Sequence, residues 1–290
     1  MAVQWYPGHM KKANDEIREA LKKVDVVIEV LDARIPVSSS NPVLKKLRGN
    51  KPCVRVLNKK DLADPAVTES WIKEMEQETS VRAIAIEALK KKEVAKVKQL
   101  AVSLAPKDMK RGIRALVVGI PNVGKSTFIN TLAGRKVAKT GDEPAVTKHQ
   151  QQVRIEGGPG GFDIADTPGV LWPNLADHRG GIRLGATGAV RDTALDYLEV
   201  APQAVVDLLT HYRDLLVARY KLKVIPEEGL DLLAEIGKKR GCLRKGGVVD
   251  LHKAAEIVCK EIKAGDIGRI TLDWPEDYPA EEEGEGTPEE

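Results

Sequence analysis

The sequence predicts an α/β fold in which a mostly parallel sheet has helices on both faces and is followed by a small all-α domain. Two observations lead to this fold class. In the first part of the chain, short runs rich in Val, Ile and Leu alternate with amphipathic helical segments, as in parallel strands joined by helices. From about residue 180 the strand pattern fades and amphipathic helices remain. We therefore expect an α/β domain over residues 1–178, a helical domain over 179–274 and an acidic, disordered tail over 275–290.

The first half of the α/β domain is predicted to contain three buried strands. Ile17, Leu21 and Val24 recur at helical spacing, so a helix comes first. Runs rich in β-branched residues then predict the strands. In chain order, the predicted elements are a helix at 14–24, a strand at 25–34, a strand at 52–61, a helix at 67–79, a strand at 81–88 and a Lys-rich helix at about 91–104.

The second half follows a basic linker, "PKDMKRGIR". "ALVVGI" (115–120) predicts a fourth strand, which leads straight into a glycine-bearing loop and a helix at 125–134. Two further strands are expected on either side of a Gly-rich hairpin. The helical domain is then predicted from amphipathic segments at 194–220, 229–241 and 250–265.

Composition and charge limit the functional classes. No stretch approaches the roughly 18 uninterrupted apolar residues of a membrane span, and no apolar signal segment is present, so neither membrane insertion nor export is expected. Cys53, Cys242 and Cys259 are scattered without metal-type spacing, which is typical of reduced cytoplasmic thiols. The last sixteen residues hold eight acidic and no basic side chains, so residues 1–274 carry +11 against +3 for the whole chain. Such a body suits a polyanionic partner, although solvated surface lysines would give the same count.

A phosphate-binding loop is predicted at "GIPNVGKST" (119–127), which fits G-x-x-x-x-G-K-[ST] between an apolar strand and a helix. The two glycines allow a tight turn whose N–H groups point at phosphate oxygens, and the helix N-terminus adds partial positive charge. Lys125 would reach the β- and γ-phosphates, and the Ser126 hydroxyl would bind Mg²⁺. The predicted phosphate-binding residues are Gly119, Pro121, Asn122, Val123, Gly124, Lys125, Ser126 and Thr127.

The base of the nucleotide is predicted from "NKKD" (58–61). The Asp61 carboxylate can accept hydrogen bonds from N1–H and the exocyclic amine of guanine, a donor pair that adenine lacks. Asn58 would brace the loop, and the stem of Lys59 could lie over the base. Alone, N-K-x-D is a weak motif that an ordinary polar turn can also contain, but beside a phosphate loop it indicates GTP and GDP.

Two further segments complete a GTP-hydrolysing switch. "DTPG" (166–169) follows an apolar strand, which places Asp166 to hold Mg²⁺ through water and the Gly169 N–H to meet the γ-phosphate. Thr147 lies between the phosphate loop and the next strand, where a switch loop supplies a threonine to Mg²⁺ and the γ-phosphate in the triphosphate state.

The order of these motifs is reversed, because N-K-x-D at 58–61 precedes the phosphate loop at 119–126. The same sheet can be built if the chain is circularly permuted, with the basic linker joining the old ends. The predicted fold class is therefore a circularly permuted P-loop GTPase domain followed by a small all-α domain. Two unrelated nucleotide sites would require a second phosphate loop, which the sequence lacks.

In combination, these motifs resemble the ribosome biogenesis GTPase A family over nearly the whole chain except the acidic tail. The similarity rests on the permuted order and on "WYPGHM" (5–10), "DARIPVSSSNP" (32–42), "NKKD", "GIPNVGKST", "DTPG" and the C-terminal segment at 244–273. The resemblance implies a cytoplasmic GTPase that acts late in assembly of the large ribosomal subunit, binds ribosomal RNA through its helical domain and leaves after hydrolysis. It also implies stimulation by the pre-subunit. A monomer is expected, with no membrane partner.

One loop departs from the family pattern. The family usually has a Ser-Ala-like element after the third strand, whose backbone N–H meets the guanine O6. Here the loop reads "IEALKKKE", so the resemblance assigns Glu87 and Ala88 to this contact, with the particular residue left open.

The residue that activates water is not found at its usual position. Ras-like enzymes place a glutamine just after D-x-x-G, whereas this chain has Val170, which cannot hydrogen-bond through its side chain. The resemblance nominates His9 of "PGHM", since an imidazole suits the orientation of water near neutral pH. It also implies that Asn122 helps to bind a K⁺ ion. The alternatives are that His9 is a surface or RNA-contacting residue and that Asn122 only stabilises its loop.

Basic side chains outside the motifs are candidate contacts to RNA phosphates, which would give salt-dependent affinity without sequence specificity. They are Lys90–Lys92, Lys107, Lys110, Arg111, Arg114, Lys238–Arg240, Arg244 and Lys245. A solvated face is nearly as compatible with any one of them. The alternative to a GTP-hydrolysing assembly factor is a GTP-gated RNA-binding module with negligible turnover.

Overall fold

The computed structural model describes residues 15–106, 111–138, 151–155, 161–166, 178–190 and 195–278, with the backbone alone at residues 151, 152 and 166. The predicted positions of His9, Thr147 and Gly169 lie outside the described residues.

Strands and helices alternate in the first part of the chain and helices alone follow, as predicted. Residues 15–21 are helical (α1). The next elements are β1 (Val26–Asp32), α2 (Pro42–Arg48), β2 (Cys53–Asn58), α3 (Pro65–Met75), β3 (Val81–Ile86), α4 (Lys91–Leu104), β4 (Ile113–Val118), α5 (Lys125–Ala133), β5 (Gln151–Ile155) and β6 (Phe162–Asp166). The helical part contains α6 (His178–Thr187), α7 (Tyr197–Tyr220), α8 (Gly229–Lys239), α9 (Leu251–Ala264) and a 3₁₀ turn at Pro275–Asp277.

Six strands form one sheet in the order β3-β2-β1-β4-β6-β5. All neighbours are parallel except β5 and β6, which form the predicted antiparallel pair. From β1, the strands β2 and β3 extend the sheet in one direction, and from β4 the strands β6 and β5 extend it in the other. The direction of winding therefore reverses between β1 and β4. In parallel sheets, ligands bind in the crevice at the carboxyl ends of the strands at such a point.

The central strands are buried on both faces. All seven residues of β1 are buried, because helices cover the sheet on each side and the strand has neighbours at both edges. Burial on both faces explains why the sequence of β1 is apolar except for Glu29 and Asp32. The mostly parallel sheet with helices on both faces is confirmed.

Two helices were not predicted. α2 has seven residues and is signalled by Asn41, whose side chain accepts the Val43 N–H at 2.9 Å, and by Pro42 at the first turn. α6 has glycines that lower helix propensity. One of them, Gly185, allows close packing on α7, because a Cβ there would lie 3.1 Å from Cγ2 of Val200 in that helix.

The chain returns to the α/β part after the last helix. We call residues 269–278 the C-terminal strap. Its Leu272 N–H donates to the Arg34 carbonyl at 2.7 Å, and the Asp273 carbonyl accepts the indole N–H of Trp71 at 2.9 Å. The ring of Tyr278 packs against that of Trp71, with centroids 5.9 Å apart. Residues 275–278 of the predicted acidic tail are thus in contact with the rest of the protein.

Candidate nucleotide-binding site

The loop between β4 and α5 has the backbone of a phosphate-binding loop. Gly119 and Gly124 have φ values of +152° and +97°, which L side chains rarely adopt. A Cβ at Gly119 would overlap the Val30 carbonyl oxygen of the neighbouring strand, and one at Gly124 would overlap the Asn58 side-chain nitrogen. Both glycines are therefore required by the approach of β1 and β2 as well as by the turn.

The loop ends at the N-terminus of α5, which begins at Lys125 with Gly124 as its N-cap. Among the described residues, no side chain caps this helix, so its first N–H groups face the crevice at the reversal of the sheet. Lys125 is buried, and its ammonium group donates to the Ile120 carbonyl at 2.8 Å. It therefore folds back over the loop. Ser126 and Thr127 follow on the first turn.

Pro121, Asn122 and Val123 form the middle of the loop. Val123 is buried and anchors the loop in the core. Asn122 has a left-handed backbone with φ of +60°, and its amide nitrogen donates to the Gly188 carbonyl at 2.8 Å. Because Gly188 directly follows α6, the phosphate loop contacts the helical part of the chain through this side chain.

Asn58 joins three of the predicted segments. It is the last residue of β2. In the sheet, β1 lies between β2 and β4, the strand that leads into the phosphate loop. Its Nδ2 donates to the Val123 carbonyl at 2.7 Å, and its Oδ1 accepts the Ala88 N–H at 2.9 Å. One buried amide therefore connects N-K-x-D to the phosphate loop and to the loop after β3.

Lys59 has a left-handed backbone with φ of +61°, and its ammonium group binds Asp32 Oδ2 at 2.8 Å. Arg34 binds the same carboxylate through Nε at 3.0 Å and Nη2 at 2.8 Å. Burial opposes ionisation of Asp32, but the charges of Arg34 and Lys59 outweigh it and lower the pKa of this carboxyl below its usual range. Burial lowers the pKa of Lys59, although Asp32 opposes the change.

The Asp61 side chain, at the end of N-K-x-D, is exposed, so its carboxylate is accessible.

The two N–H groups predicted to contact guanine O6 are engaged within the protein. Glu87 N–H donates to Glu93 Oε2 at 2.8 Å, and Ala88 N–H donates to Asn58. The next N–H in the loop, that of Leu89, has no hydrogen-bond acceptor among the described residues. The Leu89 side chain is 80% exposed.

The predicted magnesium ligands are described in part. Ser126 follows Lys125 at the start of α5. Asp166 ends β6 and pairs with Val117 of β4, so its backbone lies at the same carboxyl edge as the phosphate loop. A hydroxyl and a carboxylate are donors that fit Mg²⁺.

Many of the basic candidates are paired with acids of the protein. Arg111 contacts both carboxylate oxygens of Asp25, at 2.7 and 2.8 Å. Arg244 contacts both oxygens of Asp250, at 2.9 and 3.1 Å. Lys90, Lys238 and Arg240 also form ion pairs. Lys107 and Lys110 lie outside the described residues. Five of the candidates therefore lie beside acids that partly offset their charge.

Sequence reasoning did not identify Asp32 and Arg34 as residues next to the site. Arg34 is 1% exposed and donates to the Ile262 carbonyl at 2.9 Å and the Thr187 carbonyl at 3.3 Å. It thereby connects the end of β1 to the ends of α9 and α6. The available signal was a pair of opposite charges at the carboxyl end of a buried strand beside N-K-x-D.

The phosphate loop lies where the winding of the sheet reverses, and Asn58 connects it to the N-K-x-D loop, which comes earlier in the chain. This arrangement defines a P-loop GTPase of permuted order. The 50S ribosome-binding GTPase family matches residues 114–234. The chain belongs to the ribosome biogenesis GTPase A family and is a GTPase, for which GTP, GDP and Mg²⁺ are the expected ligands.

This membership rests on relatives that match almost end to end. Ribosome biogenesis GTPase A of Priestia megaterium is 45% identical over 285 residues, covering 95% of this chain and 98% of the relative. The Bacillus cereus protein of the same name is 43% identical, with 96% of each chain covered. GNP-bound YlqF from T. maritima has a similar structure, with a TM-score of 0.64 and 27% identity over 91% of this chain and 99% of that one.

Among the described residues, no helix is both long and apolar enough to cross a membrane.

Proposed function

We propose that this GTPase is a switch in late assembly of the large ribosomal subunit, binding the ribosomal RNA of the precursor in its GTP state and leaving after hydrolysis. The observation that carries the proposal is the Asn58 amide, which joins the base loop to the phosphate loop at 2.7 Å. The names of the near full-length relatives supply the biological setting. The expected location is the cytoplasm and the expected state is a monomer.

The phosphate groups would lie over the N-terminus of α5, where backbone N–H groups converge. Lys125 would turn from the Ile120 carbonyl towards the β- and γ-phosphates. Thr127 and the Gly169 N–H would complete the contacts. The residues proposed to hold the phosphates are Gly119, Pro121, Asn122, Val123, Gly124, Lys125, Ser126, Thr127 and Gly169.

The guanine base would be read at the end of β2. The exposed Asp61 carboxylate would accept N1–H and the 2-amino group, with the stem of Lys59 beside the ring. We assign the contact to guanine O6 to the Leu89 N–H in place of Glu87 or Ala88, since those two donors already bind Glu93 and Asn58. Asn58 would act by holding the three loops in register.

Ser126, Thr147 and Asp166 would hold Mg²⁺ when the nucleotide is bound. When bound, the ion would neutralise negative charge on the β- and γ-phosphates. Potassium, which is proposed on resemblance, would use the Oδ1 of Asn122. This is compatible with the amide nitrogen of Asn122 donating to Gly188, because the two atoms are distinct.

His9 would orient the attacking water in place of the glutamine that Val170 replaces. Its test is His9→Ala, which should spare GTP binding and remove the stimulation of hydrolysis by large subunits. If stimulated turnover survives, His9 serves in docking, and the water-orienting role is rejected.

The whole proposal is tested by measuring GTP hydrolysis with and without purified large subunits, in potassium and in sodium buffers. We expect stimulation by subunits, greater in potassium. No stimulation in either salt would reject the assembly switch in favour of a GTP-gated RNA-binding module. Stimulation of equal size in both salts would reject the potassium site alone.

A further inference from the structure

The C-terminal strap contacts the loop that carries Asp61. The guanidinium of Arg269 donates through Nε to the Ala63 carbonyl at 2.9 Å and through Nη2 to the Lys60 carbonyl at 2.9 Å. Lys60 and Ala63 stand on either side of Asp61 in the chain. A planar guanidinium has donors in a fixed fork, so Arg269 sets the spacing between two carbonyls that bracket the guanine-reading residue.

Neighbouring residues of the strap and α9 hold the rest of this loop. Ile270 N–H donates to the Leu62 carbonyl at 3.0 Å, and Thr271 Oγ1 accepts the Asp64 N–H at 3.2 Å. Gly265, just after α9, admits the Leu62 side chain, because a Cβ there would be 2.6 Å from Leu62 Cδ2. The loop is thus held from the C-terminal side while the Asp61 side chain stays exposed.

The loop has few restraints of its own. Its internal hydrogen bonds are those from Leu62 N–H to the Lys59 carbonyl at 2.9 Å and from Ala63 N–H to the Lys60 carbonyl at 3.4 Å. The second is long and shares its acceptor with Arg269. The Arg269 guanidinium is therefore the stronger restraint on the backbone around Asp61.

We propose that Arg269 is a positioning residue for the guanine specificity of the site, because it fixes the backbone on both sides of the Asp61 carboxylate. This inference rests on the proposed guanine-reading role of Asp61. A carboxylate that must accept N1–H and the 2-amino group together needs a defined direction, since hydrogen bonds weaken steeply when misaligned. Inosine keeps N1–H and lacks the 2-amino group, so the preference for GDP over IDP reports this direction.

The experiment measures dissociation constants of GDP and IDP by calorimetry for the full chain and three arginine variants. Arg269→Ala should lower the preference for GDP over IDP by about tenfold, the scale of one hydrogen bond to a charged group. Arg269→Lys should give an intermediate preference, because an ammonium group cannot bridge both carbonyls in one plane. Arg269 is exposed, so neither change opens a cavity, and thermal unfolding checks that both variants fold.

Arg219→Ala is the matched control. Arg219 belongs to α7 and binds Glu261 at 3.0 Å, so it makes an ion pair in the same helical part without touching the Asp61 loop. Its preference for GDP over IDP should be unchanged, and a loss equal to that of Arg269→Ala would overturn the proposal. An unchanged preference in both Arg269 variants would also overturn it, even if both nucleotides bound more weakly.

Asp61→Asn separates this inference from the proposed function. It should shift the preference from GDP to xanthosine diphosphate, because an amide can donate to the 2-oxo group of xanthine. If Asp61→Asn keeps its preference for GDP, the guanine-reading role of Asp61 fails, and the inference about Arg269 fails with it. If Asp61→Asn switches while the Arg269 variants keep the wild-type preference, only the inference is rejected.

Discussion

The side-chain nitrogen of Asn58 lies 2.7 Å from the carbonyl oxygen of Val123, and this contact links the end of β2 to the phosphate loop. The other end of the same amide accepts the Ala88 N–H at 2.9 Å. In this permuted chain the linked segments are far apart in sequence. Nucleotide affinity should therefore depend on Asn58 although we assign it no direct contact with the base.

Replacing Asn58 by Ala should weaken GDP binding strongly. The change leaves a buried carbonyl and a buried N–H without a partner, which costs about 1–3 kcal/mol for each group left unsatisfied. The loops would then lose their relative position. The measurements are GDP affinity by calorimetry and the free energy of unfolding in urea.

Asn130→Ala provides the control for this loss. The Asn130 amide also braces a loop, accepting the Val137 and Ala138 N–H groups at 2.8 Å and donating to the Ala138 carbonyl at 2.8 Å. We expect a similar loss of stability with a smaller loss of affinity. Equal losses of affinity would contradict a specific role for the Asn58 bridge.

A pair of glycine substitutions tests the packing of the phosphate loop. Gly124 and Gly134 both have left-handed backbones, with φ of +97° and +66°. A Cβ at Gly134 meets nothing within 4 Å, whereas one at Gly124 would overlap the Asn58 side chain. Gly134→Ala should therefore cost only the strain of the left-handed backbone, about 1 kcal/mol.

Gly124→Ala should cost more and should also abolish tight GDP binding, because Asn58 and the start of α5 must move apart. Nucleotide titration and thermal unfolding of the two variants measure the difference. If both variants bound GDP like the wild type, the tight packing between Gly124 and Asn58 would not be needed for the site.

The buried carboxylate of Asp32 should make stability depend on pH. Its pKa is lowered from an ordinary value of 3.8, since the charges of Arg34 and Lys59 outweigh the effect of burial. A carboxyl whose pKa is lower in the folded than in the unfolded protein stabilises the folded state at pH values above the unfolded pKa. This stabilisation is lost as the pH falls towards the folded pKa. Asp32→Asn leaves Arg34 buried without its partner, at a cost of about 3–5 kcal/mol near neutral pH.

The difference in free energy of unfolding between wild type and Asp32→Asn should shrink as the pH falls from about 5 to about 3. Urea unfolding at each pH measures it. Glu19→Gln, which removes an exposed carboxylate paired with Lys22 at 2.6 Å, should change stability little at any pH. A difference for Asp32→Asn that is independent of pH would show that the ionised carboxylate is not what stabilises the fold.

Much of the fold could be predicted because its signals are local. Runs of β-branched residues marked the strands, and the predicted boundaries of α4 agree with the observed Lys91–Leu104. α2 was missed because it is a single short segment, and α6 was missed because it contains several glycines, of which Gly185 packs against α7. Local pattern reports propensity, and it does not report which residue a helix will pack against.

The backbone of the candidate site was predictable where a motif determines its shape, as at Gly119 and Gly124. It was not predictable where hydrogen bonds join distant segments. Arg34 bonds to a carbonyl 228 residues away, and nothing in the local sequence indicates that partner. Similarly, the engagement of the Ala88 N–H by Asn58 could be seen only once the two loops were brought together.

The strap offers a last test, in which two acids pair with one arginine in different surroundings. Arg183 Nη1 binds Asp273 at 3.0 Å and Nη2 binds Asp277 at 2.8 Å, but Asp273 is fully buried while the Asp277 side chain is 30% exposed. Asp273 also accepts the Val37 and Ser38 N–H groups at 2.8 and 2.7 Å. Asp273→Ala should therefore cost about 3–5 kcal/mol, because it leaves buried donors and part of a buried charge unpaired. Asp277→Ala should cost less, because water reaches the partly exposed Asp277 and Arg183 keeps its ion pair with Asp273. Urea unfolding of the two variants measures both values, and equal costs would show that the buried end of the strap does not hold it to the α/β part.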